Sequence, residues 1–313
     1  MRLRVNLFRR FQAFNDQLPL DCFDPIRVQE LFSYLLLHRQ RPHRREALIE
    51  ILWGENSPKQ AKKYLRQLIW QLRTGLQEQS CGDEIEILAA DEEWISLNDR
   101  SDLLLDVEEF ERAYALTRDV DGAALSSPQA EALQQAVKLY AGDLLEGWYQ
   151  DWCLFERERL QNIYLLMLDK LMAYCETQSL FETGIQYGVR ALRCDRAREI
   201  TYRRLMRLCY LAGDRTGALR YYSRCEEALR TELEVEPTAQ THALWREICA
   251  DRFSPAPRIE IEDRLQPQPD NLAALLDSCR TLNQVLAEAR EYNQQHIRLL
   301  TSHLSDQDAN AGG

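Results

Sequence analysis

Hydrophobic and polar positions change period along this chain, and each change marks an element. Near the start Leu3, Val5 and Leu7 alternate with polar residues. Phe11 and Phe14 follow before the turn signal Asn15-Asp16, so residues 1–22 predict short strands. Asp24-Pro25 then supplies an N-cap and a first-turn proline. Behind it Val28, Leu31, Phe32, Leu35 and Leu36 keep the 3–4 spacing of one buried helical stripe. After the basic loop Arg39-Gln40-Arg41-Pro42, a second helix is expected from His43 to Trp53. It carries Ala47, Leu48, Ile51 and Leu52 inward and stops at Gly54.

Ser57-Pro58-Lys59-Gln60 combines a cap, a first-turn proline and a capping-box glutamine, and the helix it starts runs to Leu76. Glu84–Leu88 and Trp94–Leu97 read as two strands around the turn Asp91-Glu92-Glu93. Strands, three helices and a terminal hairpin are the order of a winged helix.

From Val107 onward the pattern is helical, with a self-similarity at an offset of 34. Leu171 and Leu205, Met172 and Met206, Cys175 and Cys209, Gly184 and Ala218, Ile185 and Leu219, Tyr187 and Tyr221, and Arg190 and Arg224 all correspond. That is the tetratricopeptide period, and the small residues at 184 and 218 suit a close helix crossing. Residues 254–270 hold four prolines and predict a linker. Leu275, Cys279, Leu282, Leu286, Ala289, Asn293, His296 and Leu300 then step alternately by four and three. This heptad seam predicts a long helix over 271–304, either a coiled coil between two protomers or a helix folded back on its own repeats. Residues 305–313 read as a disordered tail.

Two segments carry a family resemblance. The first is Tyr-Ala-Gly-Asp-Leu-Leu-Glu-Gly-Trp-Tyr-Gln-Asp-Trp-Cys-Leu-Phe-Glu-Arg-Glu-Arg-Leu over 140–160. The second is Thr-Glu-Leu-Glu-Val-Glu-Pro-Thr-Ala-Gln-Thr-His-Ala-Leu-Trp-Arg-Glu-Ile over 231–248. Together they resemble the bacterial transcriptional activator domain of the Streptomyces antibiotic regulatory protein (SARP) family. Arg45–Glu55 is similar to the second helix of the OmpR-type winged helix in those regulators. The expected fold is mainly α: a winged helix over 1–100, a tetratricopeptide-like activator domain over 101–253, the linker and the C-terminal helix. The resemblance implies a regulator that binds promoter DNA, associates with itself and contacts RNA polymerase.

Charge sharpens this division. The chain has a net charge of −11, yet residues 1–80 carry 14 Lys and Arg against 8 Asp and Glu, while the rest carries 25 against 42. One segment is thus fitted to a polyanion and the other is not. The nine cysteines are scattered without a Cys-x-x-Cys pair, which favours reduced thiols in a cytoplasm over disulfides or a zinc site. No apolar run is long enough to span a membrane, and Arg9-Arg10 interrupts any signal-peptide core.

The candidate chemistry lies on the third helix. Ala61, Leu65, Leu68, Ile69, Leu72 and Leu76 share one face; Lys59, Lys62, Lys63, Arg66, Gln67, Trp70 and Arg73 share the other. In a winged helix this helix enters the major groove, where Arg and Lys reach phosphates or guanine and Gln pairs with adenine. Trp70 suits either packing against the activator domain or another protomer, or contact with a thymine methyl or sugar. Arg39, Arg41, Arg44 and Arg45 are placed either to touch phosphates or to form a solvated loop. Glu93-Trp94 stands where family members carry Gly-Tyr, so the acidic hairpin either stays off DNA or meets a basic partner.

Nothing in the sequence calls for a cofactor or a metal. The nucleotide-binding pattern Gly-x-x-x-x-Gly-Lys-[Ser/Thr] is absent, and the five histidines do not cluster. Gly-x-Ser-x-Gly and His-Glu-x-x-His do not occur either, so no enzyme is expected. The rival to a DNA-binding regulator is an adaptor that has lost DNA binding and presents its repeats to a protein or peptide.

Overall fold

The computed structural model describes residues 3–253, apart from 16–17, 21–22, 24, 54–57, 79–86 and 99–102. The expected linker, C-terminal helix and tail lie outside the described residues, as do Asp24 and Ser57. Three short strands come first, β1 (Leu3–Asn6), β2 (Gln12–Asn15) and β3 (Leu18–Pro19). Then come α1 (Ile26–Leu37), β4 (His43–Arg44), α2 (Arg45–Trp53) and α3 (Pro58–Glu78). β5 (Leu88–Ala90) and β6 (Trp94–Leu97) form the hairpin, followed by β7 (Leu103–Leu105).

The alternation of the first strand works as its period requires: Leu3, Val5 and Leu7 are buried while Arg4 is exposed. The first sheet has the order β3-β2-β1-β7. Its last member runs parallel to β1, with Leu3 opposite Leu103 and Val5 opposite Leu105. The second sheet has the order β4-β6-β5, with His43 opposite Ile95 and Ala90 opposite Ile95 on the other side. His43 therefore belongs to a strand rather than to the second helix. The extended pairing of His43 and Arg44 with the hairpin outcompetes two further residues of helix.

All five expected core residues of α1 are buried, but so are Glu30, Ser33 and Tyr34. The amphipathic pattern marks only one stripe. The other side of α1 is covered from the helical region that follows, where the Trp152 ring meets Tyr34 edge-on at 5.5 Å. In α2 Leu48, Leu52 and Trp53 are buried, whereas Ala47 and Ile51 are exposed, contrary to the sequence pattern. A nine-residue helix makes two and a half turns, too few for its spacing to locate the inward face unambiguously.

The remaining helices are α4 (Asp106–Thr117), α5 (Ser127–Leu139), α6 (Asp151–Thr177), α7 (Phe181–Cys194), α8 (Glu199–Leu211), α9 (Arg215–Leu233) and α10 (Ala239–Cys249). Ser126 and Gln129 close a capping box at the start of α5. The 34-residue offset is visible in the packing of α6–α7 and α8–α9. Leu171, Met172 and Cys175 are buried, and so are Leu205, Met206 and Cys209. A Cβ on Gly184 would come within 2.9 Å of Leu208, so this crossing requires a small residue. The Arg190 guanidinium lies over the Tyr187 ring at 5.8 Å and that of Arg224 over Tyr221 at 5.5 Å. Even the turns correspond, with φ of 58° at Ser179 and 84° at Gly213.

One core joins the two regions. Leu7 and Phe8 from the strands, Leu35 from α1, Phe110 from α4 and Leu168 from α6 belong to a single buried cluster.

Candidate nucleic-acid interface

α3 is held by its apolar face. Ala61, Leu65, Leu68, Ile69, Leu72 and Leu76 are all buried, as its spacing requires. Lys59, Lys62, Lys63, Arg66, Gln67 and Trp70 are exposed together on the other side. No Asp or Glu occurs between Lys59 and Gln77. Lys62 Nζ lies 3.4 Å from Glu46 Oε1, with both side chains more than half exposed, a pair of little energetic weight. Arg66 Nε donates to the Lys62 carbonyl at 3.3 Å. Tyr64, 45% exposed, flanks the same face and is missing from the contacts that the sequence predicts. Its place three residues before Gln67 and four after Gln60 is the signal that finds it.

Arg73 departs from this row. Its guanidinium turns to the hairpin and donates to the carbonyls of Leu88 and Ala90 at 3.3–3.4 Å. It clamps β5 onto α3, a task that spacing on one helix does not reveal. Trp70 is 65% exposed, so it does not pack against the helical region of its own chain.

The basic loop divides likewise. Arg39 is mostly buried and pairs with Glu108 and Glu111 of α4, at 3.4 and 3.7 Å. It links the winged helix to the helical region. Arg44 remains largely exposed, with its guanidinium 5.2 Å from the Trp94 ring centre and 3.6 Å from Glu93. Arg45 starts α2, donates its backbone N–H to the Glu93 carbonyl at 3.0 Å, and has its Nε buried without a partner.

The acidic turn has local work. Asp91 accepts from the N–H groups of Glu93 and Trp94 at 2.8 and 2.7 Å. These two bonds hold its carboxyl below the usual carboxylate range. Glu93 faces Arg44. Two of the three acids thus shape or neutralise the hairpin, which sequence alone presents as a bare negative cluster.

The winged helix is joined to the helical region through backbone hydrogen bonds. Asp106, at the start of α4, accepts from the N–H groups of Leu7, Phe8 and Val107 at 2.7–3.0 Å. Burial pushes its carboxyl up to about 6, against the pull of those three N–H groups. Arg9 N–H reaches the Asp143 carbonyl at 2.7 Å, and Leu145 N–H reaches the Leu7 carbonyl at 2.9 Å. The loop that receives them is held by Arg157, which donates to the carbonyls of Leu144, Leu145 and Trp148 at 2.8–2.9 Å. Gly147 turns this loop at φ 87°, a region favoured by glycine.

Among the described residues no group of His, Cys, Asp and Glu is placed to hold a metal ion. No described helix is long and apolar enough to cross a membrane. Six described cysteines are free; burial raises the thiols of Cys175 and Cys209 to about 11 and that of Cys225 to about 12.

The fold is a winged helix followed by a helical repeat domain. The same architecture is present in a solved structure of Mycobacterium tuberculosis EmbR in complex with a low affinity phosphopeptide. The match has a TM-score of 0.63 and 22% identity, over 81% of this chain and 66% of that one. Residues 105–249 match the bacterial transcriptional activator domain, from the end of β7 to the end of α10. The chain is also 24% identical over 251 residues to the regulatory protein AfsR of Streptomyces coelicolor. That match spans 79% of this chain and only 24% of AfsR. The resemblance to SARP-type regulators is thereby shown.

Proposed function

We propose that this protein is a sequence-specific, double-stranded DNA-binding transcriptional regulator, acting as an activator. In this reading residues 1–100 form the DNA-binding domain and residues 101–253 the activator domain. α3 lies in the major groove, with Lys59, Lys62, Lys63, Arg66, Gln67 and Trp70 facing base edges and phosphates. Arg44 and Arg45 meet the phosphate backbone and position without specifying. The helical domain contacts RNA polymerase, the protein acts as a homodimer in the cytoplasm, and no reaction is catalysed.

The observation that carries this reading is the acid-free, exposed cationic face of α3, backed by a fully buried apolar face. A cationic face whose carboxylate neighbour, Glu46 beside Lys62, is itself solvated is suited to a polyanion. An adaptor that has abandoned DNA has no use for such a face. The acidic hairpin, which favours an adaptor in the sequence, is partly answered by the pairing of Glu93 with Arg44.

The test is selection of genomic fragments by the full chain, followed by affinity measurements against salt. DNA binding predicts a fall in log affinity with log salt of slope about −0.9 for each phosphate neutralised. Failure to retain any fragment at about 50 mM salt, where electrostatic binding is strong, would leave the adaptor.

A further inference from the structure

Trp70 lies one helical turn beyond Arg66, near the midpoint of α3, on the same face. Singly exposed apolar residues are ordinary on proteins. This one is a tryptophan, 65% exposed, in a row of cations and amides that Tyr64, 45% exposed, flanks at its edge. The helix beneath it is fixed by core packing on the opposite side, so Trp70 is held outward rather than left on a mobile loop.

Three occupants are conceivable. The activator domain belongs to the same packed unit and leaves the ring uncovered. A second copy, docked symmetrically through this face, would set Lys63 and Arg66 against their own counterparts without an acid between Lys59 and Gln77 to separate them. A DNA major groove accepts the same cations through phosphates and guanine edges. Its one apolar feature is the C5-methyl group of thymine.

We infer that Trp70 is a specificity residue that reads a thymine methyl group in the major groove. This rests on the DNA reading of α3 proposed above. Charged neighbours steer the helix, and the indole rewards a thymine at one position of the site. The contact is apolar and short in range, so it discriminates thymine from cytosine and from deoxyuridine alike.

The experiment uses the full chain and a duplex selected from genomic fragments by the wild-type protein. Each thymine of the site is replaced singly by deoxyuridine, which removes only the methyl group. The expected result is one or two positions at which wild-type affinity falls about fourfold, the worth of one methyl group returned to water. Trp70→Ala binds the parent site roughly tenfold more weakly and no longer distinguishes thymine from deoxyuridine there. Its melting temperature stays that of the wild type, because the side chain is exposed.

Wild-type affinity unchanged at every deoxyuridine position would overturn the inference, as would Trp70→Ala retaining full affinity for the parent site. A drop in mass on light scattering for Trp70→Ala, with the deoxyuridine response intact, would assign the ring to a protomer contact instead. The DNA reading itself fails separately. If the wild type selects no fragment at all, both ideas fall. If Arg66→Ala abolishes binding while Trp70 and every thymine methyl are dispensable, only this inference falls.

Discussion

α3 and α8 are both rich in basic residues, lysine and arginine on α3 and arginine alone on α8, yet the structure uses them in opposite ways. Around α8, Arg198 pairs with Asp169, Arg207 forks onto Glu176 at 2.9 and 2.6 Å, and Arg203 reaches Glu199 and Thr241 at 3.5 and 3.1 Å. Glu199 is itself held by Thr238 and Thr241, so three helices are laced together. On α3 the cations stand on an exposed face, where Lys62 meets the solvated carboxylate of Glu46. The same residue types lace the scaffold where neighbouring helices present part-buried carboxylates, and stay solvated on α3, where the carboxylate of Glu46 is itself exposed. Counting basic residues does not separate the cases; the charge facing each one does.

This contrast can be broken most severely at Arg157 of α6, the scaffold arginine that holds the loop of Leu144, Leu145 and Trp148. Arg157→Ala leaves three carbonyls, of Leu144, Leu145 and Trp148, without their charged donor. The Leu145 carbonyl keeps the Trp148 N–H at 3.1 Å, so unfolding in urea is expected to show a loss of about 2–5 kcal/mol, at about 1–3 kcal/mol for each carbonyl left unsatisfied. A loss below about 0.5 kcal/mol, the range of an ordinary surface change, would show that this arginine is decorative.

A second expected effect lies at the joint between the two regions. The folded protein raises the Asp106 carboxyl from 3.8 to about 6. Between these values the folded state therefore binds more protons than the unfolded state. This group's contribution to stability is fullest below about pH 4, declines as pH rises, and levels off above about pH 6. The decline amounts to about 2–3 kcal/mol, because a tenfold change in proton affinity is worth about 1.36 kcal/mol. Asp106→Asn removes this component, so the difference in stability between mutant and wild type should change across that window. A constant difference from pH 4 to 7 would rule it out.

On the binding side, Arg66→Ala should cost about 1–3 kcal/mol of affinity for the selected DNA site. Its stability should stay within about 0.5 kcal/mol of wild type, as for exposed residues generally. An Arg66→Ala protein that melts early but binds DNA normally would place Arg66 with the α8 arginines. The smallest effect belongs to Lys62. Lys62→Ala is expected to weaken binding nearly uniformly across DNA sequences and to reduce the salt slope by about 1. An unchanged slope would mean that its engagement with Glu46 persists on DNA.

Part of this arrangement is legible in the sequence. The inward faces of α1 and α3 follow directly from their spacing, because a helix of twelve or more residues repeats its pattern often enough to mark one side. The 34-residue correspondence is equally legible, down to the paired arginine and tyrosine residues. The candidate site is legible as a face but not as a set of roles. On the helical wheel Arg73 is indistinguishable from Arg66, and Tyr64 sits at the margin where no contact is expected. Ile51, placed inward by its spacing, is 41% exposed.

Sequence by itself determined what depends on neighbours a few residues away: which side of each long helix is apolar, where turns fall, and which segment carries the excess of cations. Tertiary structure alone decided what depends on distant partners. Asp106 meets Leu7 across 99 residues, and Lys170 reaches the Val120 carbonyl across 50. Arg73 finds the Leu88 carbonyl across 15, and β7 completes a sheet begun at Leu3. The physical reason is that periodicity records a side chain's direction about its own helix axis. Whether that direction ends in solvent, in a carbonyl or in a carboxylate is set by elements that the local pattern does not contain.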